Sequence, residues 1–269
     1  MLPFVDPALA ARFELAHAWR GIHYARAQQT LHPGRAIRIE PVADGFAIYA
    51  GPDSPLNRVI GLGCTGPVTA ADLDQLETLY GEAGAGVHLD LCPLADPALI
   101  ALLRGRSYQM EGFQSILALA LTEVLPLAAS PVDLRIAQAT PQEAELWIQT
   151  TAQGFAGTES PSPAVFDILA PNFHAANAFC YFVWSGDEPA AGGAMYHHDG
   201  IVELGGTSTR PAFRRRGAQA ALIQTRLAVA QAMGCDFALV LTEPGSNSQR
   251  NLMRRGFHLA YNKAILVKA

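Results

Sequence analysis

Apolar side chains recur at helical spacing between Ala218 and Met233 and define one face of a long helix. Polar residues fill the positions between them, and Gly234 follows where helices commonly end. The shared face consists of Ala218, Ala221, Leu222, Thr225, Val229, Ala232 and Met233. We therefore predict an amphipathic helix with one buried side.

The remainder of the C-terminal half alternates between strand and helix patterns. Strands are predicted where apolar side chains alternate or run together, and helices where they recur every three or four residues. Besides the helix at Ala218, the predicted elements are strand Val132–Ala137, helices Pro141–Phe155 and Pro163–His174, strands Ala178–Trp184, Ala190–His197, Ile201–Thr209 and Phe237–Leu241, helix Ser246–Arg255 and strand Phe257–Lys268. This order predicts a domain of the α/β (α+β) class.

The first half of the chain repeats the spacing of the second at a constant offset of 150 positions. The corresponding pairs are Leu89 with Leu239, Leu91 with Leu241, Pro97 with Asn247, Leu102 with Leu252 and Arg104 with Arg254. We predict two domains, residues 1–126 and 131–269, and chance matching in a leucine- and alanine-rich chain is the alternative. The linker Leu125–Val132 has two prolines and no charge, so we expect it to pack the domains together.

Three consecutive arginines, Arg214–Arg216, and then Gly217 stand directly before the long helix. The first N–H groups of a helix lack partners, its N-terminus is partly positive, and glycine lets a phosphate approach closely. Eight of the 19 Lys and Arg residues lie from Arg210 to Arg255, although the net charge of the chain is −5. An exposed basic turn is the alternative, but this concentration of charge favours a pyrophosphate site.

The run Glu203–Ala220 resembles the acetyl-CoA signature of the GNAT N-acetyltransferases, whose pyrophosphate loop reads Arg/Gln-x-x-Gly-x-Gly/Ala. Arg214 and Gly217 match the first two anchors, and Gln219 stands where the second small residue is expected. Downstream, Ser246–Phe257 resembles the last helix of the family and its Gly-Phe entry into the closing strand. The resemblance implies two tandem GNAT-like domains, each a mixed central sheet flanked by helices, of which the first is degenerate.

The resemblance also implies where acetyl-CoA binds. The backbone of Thr207, Ser208 and Thr209 pairs with the pantetheine arm, and one of its N–H groups polarises the thioester carbonyl. The pyrophosphate is held by the loop and the first helical turn, namely Arg214, Arg215, Arg216, Gly217, Ala218, Gln219 and Ala220. The far wall of the cofactor cleft is assigned to three polar residues, Ser246, Ser248 and Arg250.

Glu203 is the candidate general base, because it lies eleven residues before Arg214, where several family members carry a glutamate that deprotonates the amine. Its neighbours Val202 and Leu204 alternate with it, so an exposed strand residue is the alternative. The sequence therefore predicts a catalytic role for Glu203 that depends on its burial beside the cleft.

The usual general acid of the family, a tyrosine, falls at Leu252 in this chain. Ser248, Tyr261 or water then remain as proton donors to coenzyme A, and Ser248 is the catalytic candidate among the residues. Tyr261 is equally well explained as a packed aromatic side chain of the last strand.

Gly61–Gly66 fits a dinucleotide-binding fingerprint, and Asp90 follows downstream. However, Pro67 separates these glycines from the next helix, whose N-cap is predicted at Thr69 with Asp72 three residues further on. The glycines are therefore predicted to form a turn, and we expect the first domain to bind no CoA.

Several classes of protein are disfavoured. We see no membrane span or signal peptide and expect a cytoplasmic protein. His197 and His198 would point to opposite faces of a strand and chelate no metal together, and the acidic balance disfavours nucleic acid. Reduced core thiols are predicted for the four cysteines, Cys64, Cys92, Cys180 and Cys235.

Together these features predict an acetyl-CoA-dependent N-acetyltransferase that acts on a primary amine of a small molecule or peptide. The N-terminal domain would shape the acceptor site or the assembly, and a homo-oligomer is compatible with the sequence. Phe155, Trp184 and Tyr196 are candidates for an acceptor cleft or for the core. The missing tyrosine favours the alternative of a non-catalytic acyl-CoA-binding regulatory or scaffolding protein.

Overall fold

The structure is a computed structural model that describes residues 2–52, 54–121 and 133–269. Its contacts group the chain into two compact units, Met1–Leu119 with Leu239–Ala269, and Ala120–Ala238. The helices are α1 (Pro7–Leu31), α2 (Ala70–Glu82), α3 (Pro97–Arg104), α4 (Ala144–Ala156), α5 (Pro163–His174), α6 (Ala218–Ala232) and α7 (Asn247–Met253). The strands are β1 (Arg38–Val42), β2 (Gly45–Tyr49), β3 (Arg58–Ile60), β4 (Val87–Leu91), β5 (Gln109–Ala120), β6 (Leu134–Gln138), β7 (Ala178–Ser185), β8 (Glu188–His198), β9 (Ile201–Thr209), β10 (Phe237–Thr242) and β11 (His258–Lys268). Over the described ranges, no helix is long and apolar enough to cross a membrane.

The sheet of the first unit has the strand order β1-β2-β3-β4-β11-β5. β3 and β4 pair in parallel, whereas the other neighbours are antiparallel. Ala264 of β11 is the partner of both Leu91 in β4 and Phe113 in β5. The last strand of the chain therefore lies between two strands of the N-terminal half.

Helices cover both faces of this sheet. The core beneath α2 and α3 includes Ala47 and Tyr49 of β2, whereas Ile48 between them packs with α1. Because successive strand residues point to opposite faces, α1 lies on the face opposite to α2. α1 approaches β2 so closely that a Cβ on Gly21 would lie 2.7 Å from Cδ1 of Ile48.

In the second unit, β6, β7, β8 and β9 form an antiparallel meander. An added Cβ would meet Trp147 of α4 at Gly192 but Arg226 of α6 at the next residue, Gly193. The two helices therefore cover opposite faces of the meander. The core on the α4 side consists of Trp147, Ala175, Cys180, Phe182, Ala194 and Tyr196.

The order of strands and helices predicted for the C-terminal half is confirmed, with limits that differ by a few residues. The helix predicted at Pro141 begins as a 3₁₀ turn, Pro141–Glu143, and continues as α4. The predicted linker Leu125–Val132 lies outside the described residues. The domain limits 1–126 and 131–269 stay a prediction, and the contacts place β11 in the first unit because it pairs with β4 and β5.

The offset of 150 positions recurs in the structure. β4 and β10 begin at Val87 and Phe237, and the helices that follow them have their N-caps at Asp96 and Ser246. Each cap side chain accepts a hydrogen bond from the first turn of its helix. The predicted repeat of strand, turn and helix in one register is confirmed for these elements.

Candidate active site

The loop between β9 and α6 has a backbone that needs glycine at one position. After a 3₁₀ turn, Pro211–Phe213, both Arg215 and Gly217 are left-handed, with φ values of 64° and 87°. Gly217 is the N-cap of α6, and glycine adopts this conformation without the steric penalty of a Cβ. The predicted start of the helix at this glycine is confirmed.

The side chain of Arg214 fastens the loop to its own unit. Its Nε donates to the Thr209 carbonyl at 3.2 Å, and its Nη2 donates to the Gly154 carbonyl in α4 at 3.0 Å. The guanidinium thus joins the end of β9 to α4. A direct contact between this side chain and a phosphate stays a prediction.

Arg215 and Arg216 project from the loop as exposed side chains. Neither forms an ion pair with any residue that the structure describes. Arg216 stacks over the Phe213 ring with its Cζ 5.4 Å from the centroid, whereas Arg210 is held by Glu159 at 2.9 Å. Two uncompensated cations therefore stand at the positive end of α6.

α6 begins without a side-chain cap, in contrast to α1, α2, α3 and α7. The main-chain bond from Ala221 N–H to the Gly217 carbonyl, 3.0 Å long, opens the helical ladder. The N–H groups of Ala218, Gln219 and Ala220 lie ahead of it, and helix N-termini with such groups bind phosphate. Gln219 is half-buried at the position where the family has a small residue.

β9 contains a bulge in the segment predicted to pair with the pantetheine arm. Gly206 and Thr207 lie opposite a single residue of β8, Gly193, and the register shifts there. Gly206 has a φ of 57°, which glycine tolerates. A bulge leaves an extra residue outside the ladder, so its backbone groups are available to other partners. This bulge was not predicted from the sequence, although glycine inside a strand often marks a bulge and Gly205 and Gly206 are adjacent.

The hydroxyl groups of the same strand are used within the protein. Ser208 Oγ donates to the Thr151 carbonyl at 2.8 Å, and Thr207 Oγ1 donates to the Gly205 carbonyl at 3.3 Å. A Cβ on Gly154 would lie only 2.5 Å from Ser208 Oγ, so α4 packs tightly on this strand. These contacts leave the backbone of the strand as the part suited to a ligand.

Glu203 is completely buried, with 0% relative exposure. It is the partner of Tyr196 in β8 and therefore lies on the face that α4 and α5 cover. The alternative of an exposed strand residue is wrong, because no part of Glu203 reaches solvent. The structure thus places a buried carboxylate three residues before the bulge at Gly206, while its catalytic role stays a prediction.

The three aromatic residues considered for an acceptor cleft differ in their surroundings. Tyr196 is a core residue, since its buried hydroxyl donates to Asn172 Oδ1 at 2.7 Å. Its assignment to an acceptor cleft is wrong. Trp184 is half-buried with the Arg135 guanidinium 5.1 Å from its ring centroid, and Phe155 is exposed. An acceptor role for those two residues stays a prediction.

Arg226, to which the sequence reasoning assigned no role, is buried in the middle of α6. Its Nη1 donates to the Ala194 carbonyl at 2.6 Å and lies 3.4 Å from the Gly205 carbonyl, beside the bulge. Its Nε donates to the Leu222 carbonyl at 3.1 Å. Burial lowers the pKa of Arg226 to about 10. The apolar face predicted from the sequence did not include this position. The buried side of α6 also contains Ile223, Leu227 and Ala230, whereas the predicted members Ala232 and Met233 are exposed.

The residues assigned to the far wall lie on α7. Ser246 is its N-cap and accepts from the N–H of Gln249 at 3.1 Å. Ser248 and Arg250 are exposed, and Leu252, at the position of the family tyrosine, is buried. Roles in catalysis for Ser248 and in cofactor binding for Ser246 and Arg250 stay predictions.

Tyr261 is enclosed in the first unit. Its hydroxyl donates to Glu14 Oε1 at 2.7 Å, and burial together with this carboxylate raises its pKa well above the ordinary value. The interpretation of Tyr261 as a packed strand aromatic is confirmed. Its candidacy as a proton donor to coenzyme A is wrong, because its proton is held in this buried contact.

The glycine-rich segment of the N-terminal half forms a turn, with positive φ at Gly61 and Gly63. Thr69 and Asp72 form the predicted capping box of α2, with Thr69 N–H donating to Asp72 Oδ2 at 2.7 Å. Hydrogen bonds from Thr69 lower the pKa of Asp72. The first turn of α2 is thus capped by side chains of its own residues. Asp90, the acidic residue of the fingerprint, is buried and forms an ion pair with Arg58.

A comparison of the chain with protein-family models matches residues 144–257 to the Acetyltransferase (GNAT) family. This part of the chain, which holds the candidate site, is therefore similar in sequence to GNAT acetyltransferase domains. The matched span contains the bulged strand β9, the arginine loop and α6, so the resemblance found in these residues is confirmed. No curated protein matches the chain in sequence.

Solved structures, among them two GNAT proteins, share the fold over most of the chain. A GCN5-related N-acetyltransferase from Kribbella flavida has 19% identity and a TM-score of 0.62, and the match covers 93% of this chain and 95% of that one. A tandem GNAT protein from the clavulanic acid biosynthesis pathway has 11% identity and a TM-score of 0.63, covering 84% and 78%. A conserved protein of unknown function from Bacteroides thetaiotaomicron has 12% identity and a TM-score of 0.60, covering 100% of both chains. These likenesses confirm a fold of two tandem GNAT-like domains with mixed sheets flanked by helices.

Proposed function

We propose that this protein is an acetyl-CoA-dependent N-acetyltransferase that acts on a primary amine of a small molecule or peptide. The observation that carries the proposal is the uncapped, glycine-started N-terminus of α6, which stands beside two exposed arginines without ion pairs in the described residues. This arrangement is suited to a pyrophosphate. In the chain it comes after the bulged strand β9.

The loop fits a pyrophosphate in both geometry and charge. The N–H groups of Ala218, Gln219 and Ala220 supply oriented donors, and Arg215 and Arg216 supply charge-assisted hydrogen bonds. Arg214 contributes indirectly, because its contacts with two carbonyls hold the loop in shape. The exposed arginines then contribute about 1.5–3 kcal/mol each at most.

The backbone of the bulge is the proposed donor to the thioester carbonyl. Because Gly206 and Thr207 share one β8 partner, an N–H group there is free to point at a developing oxyanion. The hydroxyl groups of Thr207 and Ser208 donate to main-chain carbonyls. The backbone N–H groups are therefore the proposed donors to the thioester.

Glu203 is the proposed general base. When bound, acetyl-CoA would supply an activated acyl group for transfer to the amine nitrogen, with the thiolate of coenzyme A as the leaving group. The Glu203 carboxylate accepts the proton that the amine loses, directly or through one water. Ser248 or solvent returns a proton to the departing sulfur, because Leu252, at the position of the family tyrosine, has no proton to donate.

Calorimetric titration with acetyl-CoA and a free-thiol assay with a panel of amines test the proposal. Wild type should bind acetyl-CoA and release thiol in proportion to an amine, and Arg215→Ala with Arg216→Ala should weaken binding. Arg104→Ala, which removes an exposed arginine at the end of α3, is the matched control and should leave affinity unchanged. Equal affinity in all three proteins would overturn the assignment of the loop.

The buried, apolar Leu252 at the tyrosine position favours a second candidate, a non-catalytic acyl-CoA-binding regulatory or scaffolding protein. The same titration distinguishes the two functions. Binding of acetyl-CoA that depends on Arg215 and Arg216, without thiol release for any amine, would support the second candidate and overturn the first.

A further inference from the structure

Arg226 is a fully buried cation to which the proposed function assigns no role. It lies in the middle of α6, on the face of the meander that also carries Gly193 and Thr207. A Cβ on Gly193 would lie 3.1 Å from Arg226 Nη1 and 3.0 Å from Thr207 Oγ1. The absence of a side chain at Gly193 therefore creates the space that the guanidinium occupies.

The contacts of this guanidinium are concentrated at the bulge. Nη1 reaches the carbonyls of Ala194 and Gly205, which are opposite partners in the β8–β9 ladder. That pair is the last one in register before the chain passes to Gly206 and Thr207. One side chain thus holds both strands at the point where their regular pairing stops.

The charge of Arg226 has no carboxylate partner among the residues that the structure describes. The nearby Tyr181 hydroxyl, on the strand next to Gly193, is buried and also lacks a hydrogen-bond partner in that part of the chain. An unpaired buried charge is unfavourable, and an apolar side chain of similar volume is often as stable or more so. Packing alone therefore does not explain an arginine at this position.

We propose that Arg226 is a positioning residue for acyl transfer, which holds the bulge so that the N–H groups of Gly206 and Thr207 point at the thioester carbonyl. Its bonds to Ala194 and Gly205 replace ladder hydrogen bonds that the bulge removes. Without them the bulge slides or flattens, and the oriented donor is lost while the arginine loop still binds pyrophosphate. This inference rests on the proposed function for its kinetic consequence, but its structural consequence stands separately.

Arg226→Met and Arg226→Lys test the kinetic consequence. Met keeps the volume without donors, so we expect kcat to fall by about 10- to 100-fold while KM for acetyl-CoA changes by less than about threefold. Lys keeps the charge and can reach one carbonyl, so it should recover part of kcat. Leu227→Ala removes a buried neighbour on the same helix and serves as a control for simple destabilisation, with kcat near wild type once folded.

Hydrogen–deuterium exchange provides a readout that needs no activity. In Arg226→Met, the peptide covering residues 201–209 should exchange faster while the peptide covering 178–185 stays at its wild-type rate. Leu227→Ala should accelerate both peptides together. Gly193→Ala retains the arginine but displaces it, and it is the second variant to use if Arg226→Met does not fold. It should likewise increase exchange in the peptide covering residues 201–209.

The outcomes separate this inference from the proposed function. A wild-type protein that neither binds acetyl-CoA nor releases thiol overturns the function, whereas local exchange in Arg226→Met would still support the clamp on the bulge. Unchanged kcat together with unchanged exchange at residues 201–209 overturns the role of Arg226, even if the wild type is an active acetyltransferase. A uniform rise in exchange also overturns it, because it shows only loss of stability.

Discussion

The ammonium of Lys263 lies 3.1 Å from the carboxylate of Glu14, although the two residues are 249 positions apart in the chain. Lys263 also lies 3.4 Å from Asp90, and Arg58 approaches that carboxylate at 3.0 Å. Lys263, Glu14 and Asp90 are all buried. These pairs attach β11 to α1 and β4, so the last strand is part of the ionic core of the first unit.

Lys263→Met should therefore destabilise the protein strongly. Removing the cation leaves Glu14 and Asp90 buried without it, and breaking such a pair costs about 3–5 kcal/mol. Urea unfolding measures this loss. The control is Lys268→Met, whose partner Glu77 is partly exposed, and it should cost less than about 1 kcal/mol. Equal losses in the two variants would show that the buried network adds no special stability.

Asp90 should give the protein an acid-sensitive component of stability. Burial alone would raise its pKa, but the charges of Lys263 and Arg58 outweigh burial and lower the pKa below the ordinary value of 3.8. A depressed folded-state pKa contributes stability that is complete above the unfolded value and is lost as pH falls through the folded one. The difference in unfolding free energy between wild type and Asp90→Asn should thus be constant above about pH 5 and shrink below about pH 4. A constant difference down to pH 2 would contradict this linkage.

Gly217→Ala should weaken acetyl-CoA binding more than it weakens the fold. A Cβ in the left-handed region costs on the order of 1 kcal/mol, and here the resulting shift displaces the N–H groups of the anion site. Gly234→Ala is a matched control, because that glycine follows the other end of α6, has a φ of 76° and has open space around it. Both variants should lose similar thermal stability, and calorimetry should show at least a tenfold loss of affinity only for Gly217→Ala. Equal affinities would argue against the loop as the pyrophosphate site.

Glu203→Gln should lower turnover by about 10²- to 10⁴-fold while acetyl-CoA affinity stays nearly unchanged, because the amide keeps the shape but accepts no proton. The acidic limb of the kcat profile should flatten in this variant. Steady-state kinetics with a working amine measures both effects. Glu188→Gln, at an exposed glutamate that opens β8, should behave as wild type. Wild-type turnover in Glu203→Gln would leave deprotonation of the amine to water or another group.

The protein should bind one acetyl-CoA per chain. The N-terminus of α2, which corresponds to that of α6, is closed by the Thr69–Asp72 capping box, preceded by Pro67 and lacks an arginine loop. Titration gives the stoichiometry directly. Two molecules per chain would mean that the N-terminal domain is a working copy, and Thr69→Ala should then alter only the second site.

Much of the site could be predicted from short stretches of sequence. The limits of α6, the turn at Gly217 and the cap at Thr69 depend on residues a few positions apart, since helix periodicity, positive φ and capping are local effects. The arginine loop and the closing Gly-Phe belong to two family motifs, each of which is a short continuous run in the chain. For the same reason, the order of strands and helices in the C-terminal half followed from the chain alone.

Only the tertiary structure decided which polar residues are buried and what they contact. Glu203 alternates like an exposed strand residue, yet the pairing of β8 with β9 and the cover of α4 and α5 enclose it. Arg226 reads as a basic position on a helix, but it bonds a carbonyl 32 residues away, and Lys263 meets Glu14 across almost the whole chain. Such partners are selected by strand order and packing over long separations, which the spacing of residues along the chain does not encode.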